Sequence, residues 1–171
     1  MGTIRRSRGY SYEHSLVQRL NNNKDWHARR LGGSSTGLPD IIAVNNKKAI
    51  LLTIEAKSGT GDILYVPQEQ IERCILISEM FSYYKTRHVI LAFKFMRKKR
   101  LRRKGKVTYE QRKLMEYYKL ADPLYTTIQY PIVKCLYDGT SFAIYKDKAD
   151  TIKLQDYVMP FKGQPKSNVR V

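Results

Sequence analysis

Apolar residues recur in the first half of the chain at intervals that predict alternating helices and strands. From Ser11 to Leu20 they return at steps of about four residues, which is the spacing of an amphipathic helix. The same spacing begins again at Pro67, a residue suited to the first turn of a helix, and continues to about Phe81. We therefore expect two helices in this half of the chain.

Short apolar runs between the helical patterns predict strands. Residues 26–31 form one run, and residues 41–44 and 49–57 form two more around the polar turn Asn45-Asn46-Lys47-Lys48, which is typical of an antiparallel hairpin. Side chains alternate between the faces of a strand, so Thr53, Glu55 and Lys57 share one face. A carboxylate and an ammonium thus point the same way.

The second half of the chain continues the alternation. Residues 88–95 resemble a buried strand, and a helix between two strands suggests a crossover in a mixed sheet. We expect a third helix from Tyr109 to Leu120 and a second hairpin over residues 131–145, which turns at Asp138-Gly139. The pattern predicts one α/β domain, residues 1–161, with a mixed central β-sheet flanked by helices, and a polar, flexible tail over residues 162–171.

Charge narrows the class of partner. The 171 residues include 32 Lys and Arg against 15 Asp and Glu, a formal net charge of +17, which favours a polyanionic partner such as nucleic acid. An anionic membrane surface is the second candidate, but no stretch approaches the roughly 18 apolar residues of a spanning helix. The basic amino terminus lacks the apolar run of a secretion signal, so we expect a cytoplasmic protein. Cys74 and Cys135 lie far apart in apolar segments and are predicted to be buried thiols.

A run of basic residues follows the strand at 88–95. Residues 94–106 contain nine basic side chains in thirteen positions and no acid. Such a run can bind DNA phosphates without reading bases, although a solvated charged surface is the usual alternative. The predicted DNA-binding residues here are Arg97, Lys98, Lys99, Arg100, Arg102, Arg103 and Lys104, with Lys94 and Lys106 at the ends of the run.

The pattern that carries chemistry is Pro39-Asp40 followed, after fourteen residues, by Glu55-Ala56-Lys57. Asp40 at the start of one strand and Glu55 near the end of its hairpin partner can meet at one edge of the sheet. Hard oxygen ligands of this kind hold Mg²⁺, which neutralises phosphate charge and activates water during phosphodiester hydrolysis. The backbone carbonyl of Ala56 can add a ligand, and Lys57 can orient the water. By spacing alone, a loop cap at Asp40 and a solvated ion pair between Glu55 and Lys57 would also fit.

An ordered set of motifs over residues 4–96 resembles the archaeal Holliday junction resolvases. The likeness depends on the order of the motifs, which is more specific than any one of them. They are Arg5-Arg6-Ser7-Arg8-Gly9, Glu13, Arg29-Arg30, the Gly/Ser loop at 32–37, Pro39-Asp40-Ile41-Ile42-Ala43, Ile54-Glu55-Ala56-Lys57-Ser58, Leu64-Tyr65-Val66 and Leu91-Ala92-Phe93-Lys94-Phe95.

The resemblance implies a restriction-endonuclease-like fold of the PD-(D/E)xK nuclease superfamily and a homodimer that cuts four-way DNA junctions in recombination and repair. It implies a Mg²⁺ cofactor, with Mn²⁺ as a substitute, and products that carry a 5′-phosphate and a 3′-hydroxyl. The implied roles are assigned by position. Glu13, Asp40 and Glu55 match the acidic metal-site residues, Lys57 the catalytic lysine, Ser34 or Ser35 an assisting serine, and Arg5, Arg6, Arg8 and Arg30 the DNA-contacting basic residues.

After Phe95 the chain departs from the family pattern. A basic insertion at about 96–122 precedes the closing elements through which members of the family dimerise. The sequence therefore does not determine which surface forms the dimer. Two alternatives remain: a nuclease of the same superfamily that acts on other branched, damaged or specific duplex DNA, and a DNA-binding protein without catalysis. Recombination or replication proteins are further candidate partners, which would recruit the chain. Gln68 and Gln70 begin the second helix, where they would contact DNA or solvent.

Overall fold

The computed structural model describes residues 4–32, 36–126, 129–146 and 151–162, and for residues 4–8 and 126 the backbone only. Within these ranges the chain has two α-helices and twelve strands, and the two helices overlap the first two that the apolar pattern predicts. The elements are α1 (Ile4–Asn21), β1 (His27–Arg30), β2 (Ile41–Asn45), β3 (Ile50–Gly59), β4 (Ile63–Val66), α2 (Gln68–Met80), β5 (Thr86–Phe95), β6 (Lys98–Arg103), β7 (Lys106–Gln111), β8 (Met115–Leu120), a 3-10 helix (Asp122–Thr126), β9 (Ile132–Leu136), β10 (Ser141–Ile144), β11 (Thr151–Lys153) and β12 (Gln155–Asp156).

The central sheet is mixed and has six strands in the order β1-β2-β3-β5-β8-β12. Strands β2 and β3 form the expected antiparallel hairpin, with Ile41 opposite Ile54. Strand β3 pairs in parallel with β5 along its whole length, and α2 lies on the connection between them. The predicted α/β class and the mixed central sheet are confirmed.

Each face of the central sheet packs against one helix. Leu52 and Ile54 join the apolar cluster that includes Leu16 of α1, whereas residues of β5 on the opposite face pack with Ile71 and Ile75 of α2. On the α2 side, the Thr53 hydroxyl donates a hydrogen bond to the Cys74 carbonyl at 3.2 Å. The polar residues Thr53 and Glu55, which alternate with apolar ones along β3, therefore lie on the face that α2 covers.

A second sheet forms apart from the central one. The predicted hairpin at 131–145 is confirmed as β9 and β10, with Gly139 in its turn at φ 90. The hairpin does not extend the central sheet, since β9 pairs with β4 to give a four-stranded sheet in the order β11-β10-β9-β4.

The prediction of a helix from Tyr109 to Leu120 is wrong. The segment contains the end of β7, which pairs with β6 around a turn at Lys104 (φ 47) and Gly105 (φ 78), and then β8, which pairs with β5. Strand β8 lies between two packed layers, so Tyr117 contacts one apolar cluster and Tyr118 the other. A strand that is apolar on both faces loses the two-residue alternation and is easily mistaken for a helix.

Helix α1 begins at Ile4, seven positions before the predicted start at Ser11, so Glu13 lies in the middle of the helix and not in its first turn. A favourable position near the positive end of the helix dipole therefore does not account for this acid. Both cysteines are buried free thiols, as predicted. Across the described ranges, no helix is both long and apolar enough to cross a membrane.

Candidate active site

Asp40 and Glu55 meet at one edge of the central sheet. Asp40 directly precedes β2, and because Ile41 pairs with Ile54, it lies opposite the Glu55-Ala56 step of β3. Its Oδ2 atom accepts a hydrogen bond from the backbone N–H of Ala56 at 2.9 Å. Asp40 is 8% exposed, so its carboxylate belongs to the interior of the site and not to a solvated loop.

Glu55 is fully buried, and its charge is balanced inside the protein. Its Oε1 accepts a hydrogen bond from Lys57 Nζ at 2.8 Å, since both side chains lie on the same face of β3. Burial raises the pKa of the Glu55 carboxyl, while the Lys57 ammonium acts in the opposite direction. A buried carboxylate is costly unless it is paired, and here the pairing is part of the site.

Arg73 of α2 is a member of the site that sequence reasoning missed. Its Nη2 donates to both carboxylate oxygens of Glu55, at 2.9 Å and 2.8 Å, and lies 3.8 Å from Asp40 Oδ1. The residue is 9% exposed. The available signal was a single basic residue in the sequence of α2, one position before the buried Cys74.

Glu13 lies beside the same cluster but has a separate partner. Its Oε2 accepts a hydrogen bond from Arg30 Nε at 2.6 Å, and the Arg30 guanidinium stacks 4.3 Å from the centre of the Tyr10 ring. Burial raises the pKa of the Glu13 carboxyl, and the charges of Asp40 and Lys57 also act on it. Arg30, predicted to contact DNA, thus orients an acid of the site.

The donor chemistry of the site fits an oxygen-coordinated cation. The carboxylates of Asp40 and Glu55 converge on one point, which the Nη2 atom of Arg73 marks. Three or more acidic, His or Cys side chains grouped closely enough to hold a metal ion are not found among the residues with described positions. Glu13 therefore lies near Asp40, but its carboxylate is not grouped with those of Asp40 and Glu55 closely enough to form a three-ligand metal site.

Several predicted site residues are not placed by the structure. Ser34 and Ser35 lie outside the described residues. Arg5, Arg6 and Arg8 are in the first turns of α1, where only the backbone is described. In α2, Gln70 is half-buried, and its side-chain oxygen is buried with no hydrogen-bond partner within the described ranges.

The basic run forms a two-stranded ribbon, β6 and β7, which we call the basic ribbon (residues 98–111). Paired residues point to the same side, so the register assigns Arg100 with Tyr109 and Arg102 with Val107 to one face. That face is exposed, whereas Lys99 and Leu101 on the opposite face are half-buried. Lys94 is not part of the ribbon, since it lies in β5 near Glu116.

The base of the ribbon is held to the body of the protein. Lys99 Nζ lies 2.6 Å from Asp62 Oδ2, and Arg112 donates to Asp62 Oδ1 at 3.0 Å and to the Gly61 carbonyl at 2.9 Å. The Arg112 guanidinium also stacks 4.5 Å from the centre of the Tyr137 ring. These contacts orient the exposed face of the ribbon away from the body.

A family model, a curated relative and solved structures match this chain. The model of the archaeal Holliday junction resolvases (Hjc) matches residues 4–128. The chain belongs to this family. A crossover junction endodeoxyribonuclease of Sulfolobus islandicus rod-shaped virus 1 is 30% identical over an alignment of 117 residues, with coverage of 61% of this chain and 94% of that protein. The solved structure of Hjc, a Holliday junction resolvase of Archaeoglobus fulgidus, matches with a TM-score of 0.50 and 20% identity over 77% of this chain and 85% of that one, a likeness of fold.

Membership of the resolvase family confirms three predictions: the family itself, the restriction-endonuclease-like fold and the function of a Holliday junction resolvase. Membership of this family implies that the chain has endodeoxyribonuclease activity and binds branched DNA. Nucleases of this kind generally use a divalent metal ion.

The resolvase match covers the candidate site and the basic ribbon and ends before strand β9. Asp40, Glu55, Lys57 and Arg73 all fall within residues 4–128, whereas β9 begins at Ile132. Strands β9 to β12 therefore lie outside the residues that the family model matches.

Proposed function

We propose that this chain cuts four-way DNA junctions by divalent-metal-dependent phosphodiester hydrolysis, with Glu13, Asp40, Glu55 and Lys57 as its catalytic centre. The observation that supports this most strongly is the convergence of Asp40 and Glu55 on one cation position, with Lys57 in contact with Glu55. An acid pair and an ammonium so close together, in a chain of net charge +17, suit a polyanionic substrate.

Mg²⁺ is the proposed cofactor, with Mn²⁺ as a substitute. Asp40, Glu55 and the Ala56 carbonyl would hold it, with Glu13 joining from α1; when bound, it supplies positive charge to the phosphate and acidity to a water molecule. The Ala56 N–H fixes one Asp40 oxygen by a 2.9 Å hydrogen bond, which leaves the other oxygen to face the shared cation position.

Lys57 is proposed to act on the attacking water and on the phosphate. The Lys57 side chain is 24% exposed, while its partner Glu55 is fully buried, so the lysine reaches from the interior towards the surface where DNA would lie. A positive group at that position offsets charge that develops on the phosphate oxygens. The proposed products carry a 5′-phosphate and a 3′-hydroxyl, and Ser34 or Ser35, which precede β2 in the sequence, would assist.

DNA binding is proposed to use two basic regions. Arg5, Arg6 and Arg8 at the start of α1 form one of them. The other is the basic ribbon with its flanking residues: Arg97, Lys98, Lys99, Arg100, Arg102, Arg103 and Lys104. Contacts of these side chains with phosphates give affinity that depends strongly on salt concentration. The exposed face of the ribbon, with Tyr109 beside Arg100, is the part that supports this role best.

We also propose a homodimer with two active sites, because two opposed cuts are needed to separate a four-way junction into two duplexes. The proposed boundaries are one nuclease domain over residues 1–161 with a basic insertion at about 96–122, followed by a polar tail. A cytoplasmic location and a role in DNA recombination and repair, in contact with recombination or replication proteins, complete the proposal.

The test is cleavage of a synthetic four-way junction, a forked duplex and a linear duplex by the wild type and by Lys57→Ala. We expect Mg²⁺-dependent cleavage of the junction by the wild type and a loss of at least about 100-fold in Lys57→Ala. Lys47→Ala is the matched control, since Lys47 forms an exposed ion pair with Asp25 at the opposite end of the β2–β3 hairpin. Equal cutting of the linear duplex would indicate another substrate class, and no cutting of any DNA would indicate a binding protein.

A further inference from the structure

Arg73 occupies the point on which the two carboxylates of the site converge. Its Nη2 atom is 2.8 Å and 2.9 Å from the oxygens of Glu55 and 3.8 Å from Asp40 Oδ1. A divalent ion ligated by both carboxylates would need a position within about 2.0–2.6 Å of the same oxygens. The guanidinium and such an ion cannot share that space, and their like charges oppose each other.

The pairing of Arg73 balances the charge of the site without a metal ion. Asp40 and Glu55 contribute two negative charges, and Arg73 and Lys57 contribute two positive ones, with 2.8–3.8 Å between the paired atoms. Glu55 is fully buried, so removal of its positive partners would leave an uncompensated charge in the interior. Arg73 thus offsets the negative charge of the two carboxylates in the free protein.

The mode of pairing makes Arg73 displaceable. Arginine binds a carboxylate most strongly as a fork, in which two nitrogens each donate to one oxygen. Here a single nitrogen, Nη2, donates to both oxygens of Glu55, and the Nε atom is buried with no hydrogen-bond partner among the described residues. The contact therefore uses only part of the donor capacity of the side chain.

We propose that Arg73 is an internal placeholder that competes with the divalent cation for the Asp40–Glu55 position and so weakens metal binding by the free protein. This inference builds on the proposed function, because it takes the same carboxylates as the metal ligands. The Arg73 guanidinium leaves that position when the divalent ion binds. When DNA is bound, the negative charge of its phosphate stabilises the divalent ion and the nearby guanidinium at the same time. Arg73 is a positioning residue in this scheme, acting on the carboxylates.

The first experiment measures Mn²⁺ binding to the DNA-free protein, by the electron paramagnetic resonance signal of unbound Mn²⁺ at fixed ionic strength. Arg73→Gln keeps a hydrogen-bond donor and removes the charge, and we expect it to bind Mn²⁺ about tenfold more tightly than the wild type. Arg19→Gln is the control, since it removes the same charge from an ion pair with Glu116 elsewhere in the fold. Its affinity for Mn²⁺ should match the wild type. Equal or weaker binding by Arg73→Gln overturns the inference, as does equal tightening in the control.

A second measurement avoids dependence on the folding of the glutamine variant. In the wild-type protein, the ¹⁵N–¹H signal of Arg73 Nε, assigned by its loss in Arg73→Lys, should shift as Mg²⁺ is added and exchange faster with solvent. A signal that stays unchanged at saturating Mg²⁺ contradicts displacement.

The two proposals fail in different ways. If the wild type cuts junctions but Arg73→Gln binds Mn²⁺ no more tightly, only the placeholder role is lost. If the wild type neither cuts DNA nor binds Mn²⁺ and Arg73→Gln does not bind it either, the metal-dependent nuclease is lost and the placeholder with it.

Discussion

The backbone N–H of Ala56 donates a hydrogen bond to Asp40 Oδ2 at 2.9 Å, across the β2–β3 hairpin. This bond fixes the orientation of the Asp40 carboxylate and turns its other oxygen towards Arg73 and Glu55. The motif residues that stand sixteen positions apart in the chain are thereby held as one unit by the sheet itself. The precision of the site comes from rigid strands and not from a loop.

Removal of either central carboxylate should separate cleavage from binding. Asp40→Asn and Glu55→Gln are expected to lose at least about 100-fold in junction cleavage, because electrostatic stabilisation of the reacting phosphate depends on these oxygens. Their affinity for the junction, measured by fluorescence anisotropy in Ca²⁺, should change little. Asp25→Asn, in the exposed ion pair with Lys47, is the control and should cut normally. Unchanged cleavage by both site variants would contradict the assignment.

The basic ribbon should contribute to DNA binding through contacts with phosphates and not only through the net charge of the chain. We expect Arg100→Ala with Arg102→Ala to weaken junction binding and to reduce the slope of log affinity against log salt by about 1.8, the effect of losing two phosphate contacts. Lys47→Ala with Lys48→Ala removes the same charge from the exposed turn between β2 and β3, outside the proposed DNA-binding regions, and should alter the slope much less. Equal slopes for the two double variants would indicate that only net charge matters.

Gly139 should be far less tolerant of a side chain than Gly105. Both have positive φ, 90 and 78, but a Cβ at Gly139 would lie 2.5 Å from the Tyr117 ring, whereas nothing lies within 4 Å at Gly105. The ring cannot move freely, because the Tyr117 hydroxyl donates to the Tyr137 carbonyl at 2.9 Å. We expect Gly139→Ala to lower the free energy of unfolding by about 3 kcal/mol and Gly105→Ala by about 1 kcal/mol, measured by urea denaturation. Equal losses of unfolding free energy in the two variants would show that backbone strain, and not the contact with Tyr117, determines the effect.

Both thiols should be protected in the folded protein. Burial raises the pKa of Cys74 and raises that of Cys135 to about 12. We expect a disulfide reagent at pH 8 to label the native chain at least about 100-fold more slowly than the chain in guanidinium, where both thiols react. Rapid labelling of one thiol in the native protein would show that it is accessible.

The raised pKa of Cys135 predicts how the free energy of unfolding changes at alkaline pH. The neutral thiol of Cys135 is favoured by folding, so its contribution is fully present below the ordinary pKa of 9.0 and is lost as the pH rises from there towards about 12. Cys135→Ala should therefore show a smaller fall in the free energy of unfolding between pH 8 and pH 10.5 than the wild type does, as measured by denaturant titration. A fall as large in the variant would assign the alkaline loss to other groups.

Local pattern was enough to predict the α/β class, the β2–β3 hairpin and the shared face of Glu55 and Lys57. Period-two alternation and a polar turn determine which side chains of adjacent strands are neighbours, and both can be read within twenty residues. The same local reading also predicted that Asp40 meets Glu55 at one sheet edge. The order of the motifs added the resolvase family.

Contacts between layers could not be read in this way. Arg73 reaches Glu55 only because α2 packs over β3 with a particular rotation, and Arg30 reaches Glu13 only because α1 covers β1 and β2. Strand β8 was mistaken for a helix because it is apolar towards both layers, which erases its alternation. The sequence by itself determined the class of fold, the acidic pair and the basic charge. Tertiary structure alone decided which cations neutralise those acids, because the partners come from elements whose relative packing depends on the whole core.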